Sequence, residues 1–98
     1  MIPDKREIVS KLKAMVAERL NLSVKPEEIG DDQPLFDPEQ PGSLGLDSVE
    51  ALEIVCGVED LFGVRVEDDE GVAQRFHSVN TLADYVIEMM AKEDAAPV

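Results

Sequence analysis

The sequence predicts an all-α domain: a small bundle of three main helices and one short helix, with a long loop between the first and second. Three observations carry that expectation. Apolar residues recur at helical spacing in three separate segments, no segment calls for a strand, and Asn21 to Leu46 is broken by Pro26, Gly30, Pro34, Pro38, Pro41, Gly42 and Gly45. A chain of 98 residues is expected to form a single domain spanning 1–98. Its ordered part is expected over about 4–92, with 93–98 a frayed tail.

The first helix is expected from Asp4 to Leu20, where Ile8, Leu12, Met15, Val16 and Leu20 fall on one side. Asp4, with Glu7 three residues on, predicts a capping box at its start. The loop that follows carries apolar residues at Val24, Ile29, Leu35, Phe36, Leu44 and Leu46. They predict a loop pinned to the core, and long loops inside compact domains are often functional.

The second helix is expected from about Asp47 to Phe62. At 100° per residue, Ala51, Ile54, Val55, Val58, Leu61 and Phe62 form the core stripe. Val49, Leu52 and Cys56 fall outside it, among Glu50, Glu53, Glu59 and Asp60. An apolar strip rimmed by carboxylates suits a docking surface. Scattered exposed apolar residues are also ordinary, and Leu52 sits near enough the core edge to be partly buried. The projection alone favours neither reading. A short helix is expected within Glu67–Phe76, with Val72 and Phe76 facing inward. The last helix is expected over Val79–Lys92, with Val79, Leu82, Ala83, Val86 and Met90 inward and either Ser78 or Thr81 as its cap.

Twenty-two acids against nine bases give a formal charge of −13, which repels phosphate backbones and argues against nucleic acid. The same field steers the chain towards basic patches on proteins. No apolar run reaches membrane-spanning length and no signal peptide is visible, so the expectation is a cytoplasmic monomer without membrane insertion. Catalytic candidates fail. Cys56 is the one cysteine and has no partner base, His77 stands alone, and Gly-x-Ser-x-Gly is absent. The acidic run Glu67-Asp68-Asp69-Glu70 lacks the spacing and glycine of an EF-hand loop, so no metal site is expected. The chain is not expected to be an enzyme.

One serine needs a separate account. Asp47 and Glu50 make a second capping box, which explains both acids without function and leaves Ser48 as the first residue of the helix. A helix start also favours a phosphate, through its free N–H groups and the positive end of its dipole. On spacing alone, a serine that merely begins a capped helix is the commoner outcome.

The run Leu44-Gly45-Leu46-Asp47-Ser48-Val49-Glu50-Ala51-Leu52-Glu53-Ile54-Val55 resembles the phosphopantetheine-attachment motif of acyl carrier proteins. The likeness continues through Val58-Glu59-Asp60-Leu61-Phe62-Gly63-Val64-Arg65-Val66, and includes Pro26-Glu27-Glu28-Ile29 and Thr81-Leu82-Ala83-Asp84-Tyr85-Val86. It covers nearly the whole domain. The resemblance implies a carrier whose Ser48, within a motif supported by Gly45, Leu46 and Asp47, receives covalent 4′-phosphopantetheine from coenzyme A. A phosphopantetheinyl transferase would be its first partner, and acyl intermediates would ride as thioesters for fatty-acid, specialised lipid or polyketide-type biosynthesis. It further implies that Val49, Glu50, Glu53, Cys56, Glu59 and Asp60 face partner enzymes with basic docking patches. Ile54, Val58 and Phe62 would line the core and acyl cavity.

Two departures point to a specialised rather than housekeeping member. The stretch from Leu35 to Leu44 is longer than the matching loop of ordinary fatty-acid carriers, and Val49 stands where leucine usually follows the serine. Asp47 before the serine favours an acyl over a peptidyl carrier, although D-alanyl carriers share Asp-Ser. A non-covalent acidic helical interaction module is the other alternative.

Overall fold

A computed structural model describes residues 4–21, 23–66 and 72–95. Helix α1 spans Lys5–Arg19, α2 Ser48–Phe62, α3 Val72–Arg75 and α4 Val79–Ala95, with a 3₁₀ turn at Pro26–Glu28. No strand occurs among the described residues. The expected bundle of three long helices and one short one is therefore the fold.

Helix α1 packs against both α2 and α4. Ile8, Leu12 and Val16 on α1 meet Ile54 and Val58 on α2 and Val79, Leu82 and Val86 on α4, all fully buried. The spacing that predicted these helices is the spacing of their buried faces. Aromatics are scarce, and one pair closes the α3–α4 end. The Phe76 and Tyr85 rings lie 6.3 Å apart and tilted, with the Arg75 guanidinium 5.6 Å from the Tyr85 centroid.

The starts of α1, α2 and α4 are capped, though not always as the sequence suggests. Asp4 caps α1 by accepting from the Arg6 N–H at 3.0 Å. The expected reciprocal bond from Glu7 is replaced by an i,i+4 pair with Lys11 at 3.5 Å. At α4, Ser78 is the cap and Thr81 completes it. The Ser78 hydroxyl accepts from the Thr81 N–H at 3.2 Å, and the Thr81 hydroxyl accepts from the Ser78 N–H at 3.0 Å. Ser78 is 1% exposed, so this reciprocal pair satisfies polar groups inside the core. Asp84 does not join the cap but pairs with Lys5 at 2.8 Å.

Several expectations move. Helix α4 continues past Lys92 to Ala95, since no proline or glycine interrupts it before Pro97. Met89 rather than Met90 is the more buried of the two methionines. Leu61, expected in the core, is 45% exposed. It lies beside the open groove between α1 and α2, lined also by Ala14, Met15 and Gly57, where no side chain covers it. The short helix occupies Val72–Arg75, and Phe76 is buried as expected. Glu67–Gly71 and the Val72 side chain lie outside the described residues, as do residues 96–98.

The long loop is pinned as its apolar residues predict. Ile29, Leu35 and Leu46 are buried, and Val24, Phe36 and Leu44 pack partly against the core. Its backbone is tied on two sides. Leu35 donates to the His77 carbonyl at 2.9 Å, while Leu46 and Leu44 donate to the Leu35 and Pro34 carbonyls at 2.9 and 3.0 Å. Between those ties the chain makes a self-contained excursion. Gln40 bonds back to the Asp37 carbonyl, Ser43 to the Gln40 carbonyl, and the Gln33 amide donates to the Gly42 carbonyl at 2.6 Å.

Candidate functional site

The loop delivers the chain to α2 through Gly45, whose φ of +64° lies in the left-handed region open mainly to glycine. Leu46, buried and tied to Leu35, fixes the next step. Asp47 then caps the helix. Its Oδ1 accepts from the Glu50 N–H at 2.9 Å, and its own N–H donates to Glu50 Oε1 at 3.2 Å. Both halves of the expected capping box are present. Replacing Asp47 with alanine is expected to cost about 1 kcal/mol. A fall of several degrees in thermal midpoint, measured by circular dichroism, checks this, and an unchanged midpoint contradicts the cap.

Ser48 takes no part in that box. It is the first residue of α2, it is exposed, and its hydroxyl has no hydrogen-bond partner among the described residues. Beside it opens a pocket of about 430 Å³. Phe36, Leu46, Ala51, Val55 and Phe76 supply its apolar walls, and Asp47 and Ser48 contribute polar edge. The serine thus sits where a hydrophilic helix start meets an apolar recess.

The residues proposed for core and acyl cavity divide. Ile54 and Val58 are fully buried and Phe62 is half-buried against the core, but none of the three lines the pocket beside Ser48. Phe36 from the long loop and Phe76 after α3 are among the residues that line that pocket. The helix projection covers only α2, so it cannot show which residues of other segments arrive opposite. The available signals are that both were expected to face the core and that they are two of only three phenylalanines.

The outward face of α2 is sharply divided. Val49 and Leu52 are 68% and 66% exposed, and Cys56 is exposed as well. This settles the placement of Leu52, which is not partly buried. Each acid of the same face has a partner within the chain. Glu50 closes the cap, and Glu59 Oε2 accepts from the Val66 N–H at 2.9 Å, holding the segment after α2. Asp60 pairs with Arg19 at 2.8 Å, and Glu53 lies 3.9 Å from the same guanidinium. The apolar members of the strip are exposed without such partners. No cluster of three metal-ligating side chains occurs among the described residues, and no helix there is long and apolar enough to cross a membrane.

The fold and the motif together define a small acyl-carrier-like helical domain. No protein-family model matches the chain, but curated proteins do. It is 31% identical over 85 residues to the acyl carrier protein of Thermosynechococcus vestitus, covering 87% of this chain and 94% of that one. The acyl carrier protein of Rubrobacter xylanophilus is 30% identical, with the same two coverages. The chloroplastic acyl carrier protein 4 of Arabidopsis thaliana is 32% identical over 92 residues, of which this chain spans 61% of the length. The chain belongs to the acyl carrier protein family.

Proposed function

We propose that this chain carries acyl groups as thioesters on a 4′-phosphopantetheine arm joined to Ser48, and catalyses nothing itself. The observation that carries the proposal is the exposed Ser48 hydroxyl, unpartnered and outside the capping box, at the first turn of α2. The local residues fit such a group. Ser48 Oγ would hold the phosphate through a phosphodiester, and the N-terminal N–H groups and dipole of α2 favour a negative charge at that end. Asp47 keeps the turn in shape without competing for the serine. The group supplies a terminal thiol, which a chain whose single cysteine lies in mid-helix does not otherwise offer at this end.

The pocket walled by Phe36, Val55 and Phe76 gives an apolar acyl chain somewhere to leave water, at about 25 cal/mol per Å² of apolar surface buried. Ile54, Val58 and Phe62 remain the core and acyl-cavity residues that the family resemblance implies, and the recess beside Ser48 offers further apolar surface next to the attachment point. Partner enzymes, a phosphopantetheinyl transferase first and then acyl-transfer and synthase enzymes, meet Val49, Leu52 and Cys56 with basic groups around them. The loop from Leu35 to Leu44, longer than its counterpart in ordinary fatty-acid carriers, suits a specialised lipid or polyketide-type pathway in the cytoplasm.

Intact-mass measurement tests the reading. After incubation with coenzyme A and a broad-specificity phosphopantetheinyl transferase, the protein is expected to gain the mass of one phosphopantetheine group. If no transferase produces a gain, the chain is a non-covalent helical module instead.

A further inference from the structure

Glu53, Gly57 and Asp60 share one face of α2 at i, i+4 and i+7, and Arg19 from the last turn of α1 lies across all three. A Cβ built on Gly57 would stand 3.0 Å from Arg19 Cδ and would collide with Met15 Sδ. The glycine is therefore a notch in the side-chain surface of α2, and the arginine stem passes over it. Beyond the notch the guanidinium reaches Asp60 at 2.8 Å, the Glu53 backbone carbonyl at 3.4 Å and the Glu53 carboxylate at 3.9 Å. The arginine side chain is 34% exposed, against 55% and 74% for the two acids. The carboxylates face solvent while the cation is tucked behind them.

We propose that Arg19 is a built-in competitor for basic partners: it holds the cation position between Glu53 and Asp60 and so weakens docking at that end of α2. Any partner drawn in by the −13 charge approaches with lysines or arginines, and at Glu53 and Asp60 it meets carboxylates already paired. Towards Ser48 the strip of Val49, Leu52 and Cys56 carries no such obstruction. Arg19 thereby selects for partners that bind through the apolar strip near the serine, and against those that rely on charge at the far end. The identity of these partners rests on the carrier reading; the competition itself does not.

The test compares Arg19→Gln with Lys92→Gln, which removes the same charge from the last turn of α4. A hexa-arginine peptide is titrated at low salt, with binding followed on the α2 backbone amides by NMR. Arg19→Gln is expected to bind about threefold more tightly than Lys92→Gln, a factor within the range of exposed ion pairs. The shifts should centre on residues 53–60, and the advantage should fade as salt is raised. In a Glu53→Gln/Asp60→Asn background the Arg19 change should bring no gain, which separates competition from any loosening of α1. Equal binding by the two single variants, or a gain that persists without the two acids, overturns the proposal. A parallel measurement of kcat/KM for coenzyme A-dependent loading should differ little between the two single variants, because the transferase engages the unobstructed strip near Ser48. A rise of about threefold for Arg19→Gln alone would overturn the selectivity. Absence of loading in every variant would remove the carrier reading and leave the peptide titration to decide the role of Arg19.

Discussion

Ser48→Ala is expected to abolish the mass gain from coenzyme A completely while leaving the thermal midpoint of the domain almost unchanged. The two halves of this result have separate causes. Loading requires a hydroxyl oxygen at the first turn of α2, and alanine has none. Stability does not require it, because the α2 cap is closed between Asp47 and Glu50 and the serine hydroxyl bonds to nothing among the described residues. Exposed substitutions clear of caps and core usually change stability by no more than about 0.5 kcal/mol. Intact mass and thermal unfolding on the same sample read both effects. A mass gain that survives the substitution places attachment elsewhere. A loss of about 1 kcal/mol would instead show that the hydroxyl is part of the cap.

Ile54→Ala is expected to produce the largest loss of stability, about 3 kcal/mol, within the range for emptying a buried aliphatic site. Ile54 is fully buried in the core shared by α1, α2 and α4. A small domain has only about 5–15 kcal/mol in all, with a chain this short towards the lower end. Leu52→Ala, two residues away, is expected to change stability by less than about 0.5 kcal/mol, because that side chain is 66% exposed. Urea unfolding midpoints of the two variants measure the contrast directly. Equal losses would mean that the outward strip of α2 is structural, not a surface held open for partners.

That contrast also shows where the sequence was informative. The periodicity of α1, α2 and α4 is written in residues that contact their own helix neighbours and the core, so the positions of Ile8, Leu12, Ile54, Val58, Leu82 and Val86 could be read directly. The box at Asp47 and Glu50 was legible for the same reason, being local chemistry across three residues. The pinned loop was legible from Ile29, Leu35 and Leu46, whose burial gives a proline-rich stretch its anchorage.

What escaped depends on arrivals from elsewhere in the chain. Leu61 has the right angle for the core but stands beside a groove that only the spacing of α1 and α2 determines. Glu7 had the right spacing for a cap and found Lys11 instead. The pocket beside Ser48 is built from three segments, of which only α2 carries its share in a helical repeat. Gly57 carries no hydrophobic signal, yet it decides how closely α1 approaches and where Arg19 can lie. For that reason a charge reversal at Glu53 or Asp60 is an ambiguous probe of docking, since it also repels Arg19. Substituting Val49 or Leu52 probes the face without disturbing that pair.

The excursion between Leu35 and Leu44 behaves as a cassette. Its two ends are fastened to each other and to the segment before α4, so its own length is not transmitted to the helix that follows. Closing a longer loop is inexpensive, on the order of 0.6 kcal/mol for each doubling. A carrier of this architecture can therefore acquire or shed loop residues while the serine keeps its address. New recognition features can be tried at the loop, one gene change at a time, while the start of α2 stays as it is.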